Sequence, residues 1–217
     1  MTWLHFRQPE TLHPEYHTPF SLRTILSGAK ETIRNSTALN FTIAGGILFG
    51  AFIGYISTAQ QIFQFQYQLA DRFPIYFGAI ALVIGLASFV NSKLVMHFPM
   101  ETICILSLVG MAGSSIILML LGQHGHPPLL GLMSYFALIF FCFGLLIGNL
   151  NTIAIKPLGH IAGIANSVIS SIQTFVAVVI GSVIGQFYVG SLEPLVLGFT
   201  VCSVMSLLII GGHLRGR

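Results

Sequence analysis

Six runs of about twenty mostly apolar residues, separated by short polar breaks, constrain this chain more than any other feature. A helix needs about 20 such residues to cross the roughly 30 Å hydrocarbon core of a bilayer. The runs lie near 39–62, 75–96, 102–121, 129–148, 161–187 and 194–212. The breaks QFQYQLADRFP, HFPME, GQHGHPP, Asn149 to His160 with Pro157, and GSLEP each hold the Pro, Gly or charge that ends an apolar helix. Only 7% of the 217 residues are charged, against roughly 25% in soluble domains, which is too few to cover a water-facing surface. The expected fold is therefore an all-α integral membrane protein with six transmembrane helices.

Orientation follows from Lys and Arg in the short loops. Arg7, Arg23, Lys30 and Arg34 precede the first run, Lys93 follows the second, Lys156 the fourth, and Arg215 and Arg217 the sixth. All of these share one side of a six-span topology, while Arg72, beside Asp71, falls on the other. Both termini are accordingly expected in the cytoplasm, the chain being a multi-pass protein of the cytoplasmic (inner) membrane. Residues 1–37 read as a cytoplasmic segment, 38–213 as the membrane domain and 214–217 as a cytoplasmic tail. Within the first segment a helix is expected over about 20–35. It places Leu22, Ile25, Leu26, Ala29 and Ile33 on one face and Arg23, Lys30 and Arg34 elsewhere, which suits either the membrane surface or a solvated linker. The lone Trp3 lies far from any span.

Several classes of function find no support. Cys104, Cys142 and Cys202 all sit in apolar runs without CxxC or metal-ligand spacing, so they read as packing residues, and no metal or cofactor is expected. No HExxH occurs, His124 and His126 sit in a Pro-containing loop, and Ser114 and Ser115 have no base on a neighbouring span, so an enzyme is not expected. A net charge of +3 without a basic, aromatic-interleaved soluble segment gives nucleic-acid binding no footing.

Inside the spans, two patterns carry information. Gly46, Gly50 and Gly54 recur every four residues in the first, and Gly181 with Gly185 in the fifth, so neighbouring backbones can approach there, for tight packing or for sliding during a transport cycle. Polar groups concentrate as Tyr55, Thr58, Gln60 and Gln61 toward the outer end of the first span, and as Asn149 and Asn151 at the cytoplasmic end of the fourth. In the fifth span Asn166, Ser170, Gln173 and Thr174 form a stripe. Amides in hydrocarbon need partners, so these face other helices or a hydrated cavity. No Asp, Glu, Lys, Arg or His lies at mid-depth, so the group that an ion-coupled pump needs there is missing from this chain.

The stretch NLNTIAIKPLGHIAGIANSVISSIQT, from Asn149, resembles the fourth-to-fifth-span junction in the second half of the Bcr/CflA drug:proton antiporters of the major facilitator superfamily. The family's Pro-x-Gly-x-x-Ala-Gly-x-Ala pattern is matched by Pro157, Gly159, Ala162, Gly163 and Ala165. PETLHPE, at Pro9 to Glu15, is similar to a segment of that family's central cytoplasmic loop, and NSKLVMHFPME, at Asn91 to Glu101, to its loop between the eighth and ninth spans, with the basic cluster reduced to Lys93.

The resemblance implies one half of a major facilitator fold, a 3+3 repeat joined at GQHGHPP. It implies half of a multidrug, bicyclomycin/chloramphenicol-type efflux transporter that expels small hydrophobic compounds in exchange for protons. An N-terminal six-span half, or a second copy in a homodimer, would complete the transporter. By position it makes Tyr55, Thr58, Gln61, Asn149, Asn166, Ser170 and Gln173 substrate-cavity candidates. Gly46, Gly50, Gly54, Pro157, Gly159, Gly163, Gly181 and Gly185 become packing or gating positions. The alternatives are a non-transporting structural or assembly subunit of the membrane and an inactive gene remnant.

Overall fold

The computed structural model describes residues 21–121, 127–188 and 190–216. Trp3, the PETLHPE segment, residues 122–126 of the GQHGHPP loop and Arg217 lie outside them. Among the described residues every regular element is helical. A helix satisfies its backbone groups within its own segment, as hydrocarbon demands.

The chain opens with α1, Leu22–Arg34. Asn35 breaks it with φ −75° and ψ 110°, and its side chain then accepts a hydrogen bond from the Ala38 amide at 3.0 Å, capping α2, Ser36–Gln61. A π turn over Ile62–Gln66, left-handed Gln68 and a short 3₁₀ turn over Ala70–Arg72 lead into α3, Phe73–Leu94. The next helices are α4, Met100–Leu121, and α5, Leu129–Ile155. A 3₁₀ turn over Lys156–Ile161 separates α5 from α6, Ala162–Gln186, and α7, Glu193–Arg215, completes the set. Pro74 and Pro194 stand in the first turns of α3 and α7, where a missing amide hydrogen costs nothing.

Among the described residues five helical stretches are long and apolar enough to cross a membrane, and the fourth, Leu129–Gln186, spans 58 residues. At 1.5 Å per residue that stretch would reach about 87 Å, nearly three times the roughly 30 Å hydrocarbon core. It contains two helices, α5 and α6, broken at Leu158, where φ −115° and ψ 24° leave the helical region just after Pro157. The break falls later than the expected end near 148. Asn149 and Asn151 lie inside α5, because amides slow a helix far less than the proline that stops it.

Side-chain pairs fix the direction of each helix. Thr37 and Asn40 at the start of α2 reach His213 at the end of α7, at 3.3 and 3.1 Å, so these two run antiparallel. Tyr55 of α2 lies against Phe77 near the start of α3, and against Phe136 and Phe140 in the first half of α5, so both of those descend where α2 ascends. Ser115 of α4 meets Tyr135 of α5 at 3.0 Å, which makes α4 antiparallel to α5. Along α6 the neighbours of Gly46, Gly50 and Gly54 advance from Gln173 through Ile180 to Ile184, so α6 runs parallel to α2. Direction alternates from α2 to α7, and both ends of the bundle emerge on one side.

At the centre α2 packs on α5; α4 and α7 close the rear, and α3 and α6 stand as flanks on α5 and α2. Phe41, Tyr55, Phe63, Phe136, Phe140 and Phe199 fill the middle. The outer surface carries Leu82, Leu86, Leu106, Leu120, Leu130, Phe175 and Leu208, all exposed. So much exposed apolar surface needs lipid or protein against it. This is a multi-pass membrane protein.

Candidate transport face

The face is built on the seam between α2 and α6. A β-carbon placed on Gly50 would lie 2.7 Å from Ile180 Cβ and 3.3 Å from the Ala177 carbonyl oxygen. On Gly46 it would meet the Gln173 backbone at 3.1 Å, on Gly54 Ile184 Cγ2 at 2.8 Å, and on Gly181 Ile53 Cγ2 at 2.6 Å. Glycine on both helices therefore brings the two backbones together. Gly185 has only Ser57 Cβ at 3.8 Å, and Gly159 and Gly163 meet nothing within 4 Å. The last two flank the start of α6, and Pro157 sits in the 3₁₀ turn before it.

Because α2 is its principal partner, α6 leaves most of its circumference uncovered. Asn166, Ser170 and Thr174 are exposed beside the seam, and the half-buried Gln173 lays its amide over Gly45. The helical repeat sets these four on one side. Ser167 and Ser171, also exposed, donate to carbonyls of their own helix, those of Gly163 at 3.0 Å and Ser167 at 2.8 Å.

The other candidates occupy different settings. Tyr55 is 1% exposed, wedged between Phe136 and Phe140 with ring centroids 5.0 and 4.6 Å away, and its buried hydroxyl finds no partner among the described residues. Thr58 is buried and donates to the Gly54 carbonyl at 2.9 Å, whereas Gln61 is exposed at the far end of α2, next to Gln60, which bonds Gln64. Asn149 is committed to α3: its amide and that of Asn91 exchange two hydrogen bonds, 2.8 and 3.2 Å, and its Nδ2 also donates to the Leu145 carbonyl. The seven candidates thus fall into an α2 group, an α6 stripe and the α3–α5 junction.

Sequence reasoning missed Asn91 as the partner of Asn149, the His213 contacts to Thr37 and Asn40, and the link from Ser115 to Tyr135. Only the polar character of these residues was visible, and that does not select a partner. Among the described residues Glu31, Asp71, Glu101, Glu193 and the basic side chains all lie at helix ends, turns or α1, and no metal-holding cluster forms. Lys93, Lys156 and Arg215 gather at the α1 end of the bundle, and Arg72 lies at the opposite end.

At that opposite end the Tyr67 hydroxyl donates to the Pro127 carbonyl at 2.7 Å, linking the turn after α2 to the entry of α5, and burial pushes its phenol above the ordinary value of 10.0. A cleft of about 420 Å³ opens nearby between α4 and α5, walled by Ile117, Leu121, Pro128, Ser134 and Leu138.

An open polar stripe beside a close-packed seam, in a bundle of six apolar helices of alternating direction, invites comparison with known transport proteins. Over 206 residues the chain is 24% identical to the bicyclomycin resistance protein homolog of Haemophilus influenzae. The match takes in 92% of this chain and 50% of that protein, so the chain spans about half the length of the curated relative it matches. No family profile matches the chain, and no solved structure does.

Proposed function

We propose that the chain is the six-helix half of a bicyclomycin-type, proton-coupled drug efflux transporter of the major facilitator superfamily. In this reading it works in the inner membrane against a different six-helix half, whether a separate polypeptide or another part of the same one. The similarity to the bicyclomycin resistance homolog across 92% of the chain carries the reading. The helix pairing supports it: exchanging α2, α3 and α4 for α5, α6 and α7 turns the α2–α6 packing into α5–α3 and the α2–α7 packing into α5–α4. An inverted 3+3 repeat has that relation. The basic residues at the α1 end favour that end facing the cytoplasm.

Substrates would be small and hydrophobic, passing between the halves along the α6 stripe of Asn166, Ser170 and Gln173 and the outer residue Gln61. Tyr55 and Thr58 would sit behind that surface and brace it, and Asn149 would hold α3 to α5. The glycine seam would let α2 and α6 move as one body while the halves rock. Because the described acids lie at helix ends, turns or α1, the proton-carrying group at mid-depth would belong to the other half.

The test uses a drug-sensitive bacterium expressing the chain alone or together with the N-terminal half of the Haemophilus influenzae relative, and follows cellular bicyclomycin. Export is expected only from the pair, and an uncoupler should abolish it. Export by the chain alone would contradict the need for a second half, and no export from a correctly inserted pair would contradict the transport reading.

A further inference from the structure

On a wheel of about 100° per residue, α1 divides into three stripes. Gly28 and Thr32 form the one that packs inward: both are buried, and a β-carbon on Gly28 would lie 2.9 Å from Ile164 Cγ2 of α6. The next stripe holds Leu22, Ile25, Leu26, Ala29 and Ile33. Leu22 is 71% exposed and Leu26 69%, so among the described residues little covers the apolar stripe. The third stripe, on the side away from α6, is Arg23, Lys30 and Arg34, all exposed. The acid of this helix, Glu31, lies off the basic stripe and is held by His160 at 2.8 Å, in the turn that starts α6. Packing and this side-chain contact together fix α1 to the base of α6, with its apolar stripe beside the end of the spans.

We infer that α1 is an anchor for anionic phospholipid: Leu22, Ile25, Leu26 and Ile33 enter the acyl boundary of the bilayer, and Arg23, Lys30 and Arg34 bind the headgroup phosphates beside them. Two observations select a bilayer over a protein partner. The basic stripe adjoins the apolar one along the length of the helix, the order in which phosphate and acyl chain follow each other into a membrane. The apolar stripe is also continuous in character with the lipid-facing side chains of a bundle to which the helix is already fastened, so the bilayer is at hand without any encounter. Each cation near an anionic surface strengthens attachment about fivefold, so the three together weigh roughly a hundredfold. The inference does not depend on transport.

The test places a single spin label on α1 of the full chain in lipid nanodiscs. The three native cysteines are buried, so a cysteine introduced as Leu26→Cys or, on the opposite face, Thr24→Cys is labelled selectively. In discs containing phosphatidylglycerol the label at 26 should collide with oxygen and be shielded from a water-soluble nickel chelate, and the label at 24 should show the reverse. In purely zwitterionic discs, or with Arg23→Gln, Lys30→Gln and Arg34→Gln together, shielding at 26 should fall steeply. Three results would overturn the inference: nickel access at 26 in every lipid, shielding from both reagents as a protein cover would give, or shielding indifferent to anionic lipid and to the three cations.

Discussion

Gly50→Leu is expected to unseat α6 from the bundle. Even a single β-carbon at Gly50 would fall 2.7 Å from Ile180 Cβ and 3.3 Å from a backbone oxygen of α6 that cannot rotate away. Lipid gives helices no hydrophobic reason to associate, so α6 holds its place mainly by van der Waals packing along this seam. Overpacking a close contact by one or two carbons costs about 1–3 kcal/mol. Leucine adds more, and α6 has no second large interface to retain it. A drop in the unfolding midpoint in detergent, together with loss of a Cys–Cys cross-link between α2 and α6, is the expected readout. Gly181→Val should reproduce it from the other side, against Ile53. Gly148→Ala and Gly163→Ala, where no atom lies within 4 Å, should leave the midpoint almost unmoved. If all four variants behaved alike, the seam would not be the contact that positions α6.

The second large effect is expected at Asn149. Its amide holds α3 to α5 through the reciprocal bonds with Asn91, and alanine at either position strands the other amide between two spans. Interhelical hydrogen bonds in membranes average about 0.6 kcal/mol and reach about 1.7, while a buried unsatisfied amide costs about 1–3 kcal/mol. Asn149→Ala also gives up the bond to the Leu145 carbonyl. A loss of about 2 kcal/mol is therefore expected for Asn149→Ala and somewhat less for Asn91→Ala. The double variant should cost clearly less than the sum, because the second substitution removes the group that the first left stranded. Additive losses would mean that the two amides do not share their bonds.

What could be read in advance, and what could not, follows from the range over which each signal acts. The spans were legible because hydropathy over twenty residues is a local property that a bilayer reads directly. The helix at 20–35 was legible from its spacing, and the structure forms it over Leu22–Arg34. The helix of the fourth span runs on past the expected boundary near 148, because Asn149 in the fold is a satisfied amide inside that helix. Partner choice lay beyond the sequence altogether: Asn91 and Asn149 are 58 positions apart, and nothing local distinguishes an amide that will pair from one that faces a cavity. The glycines divide in the same way. A spacing of four marks a smooth helix face, but only the fold shows that Gly50 and Gly181 meet a neighbour while Gly163 meets none.

Six alternating crossings would return the chain to the side where it began, and the transport reading requires that topology. The most direct test is a set of topology reporters inserted after Asn35, in the 95–99 and 122–126 loops, after Leu192 and after Arg217. Cytoplasmic signals after Asn35, in 95–99 and after Arg217, with external signals in 122–126 and after Leu192, are expected. Opposite compartments for the reporters after Asn35 and after Arg217 would contradict it.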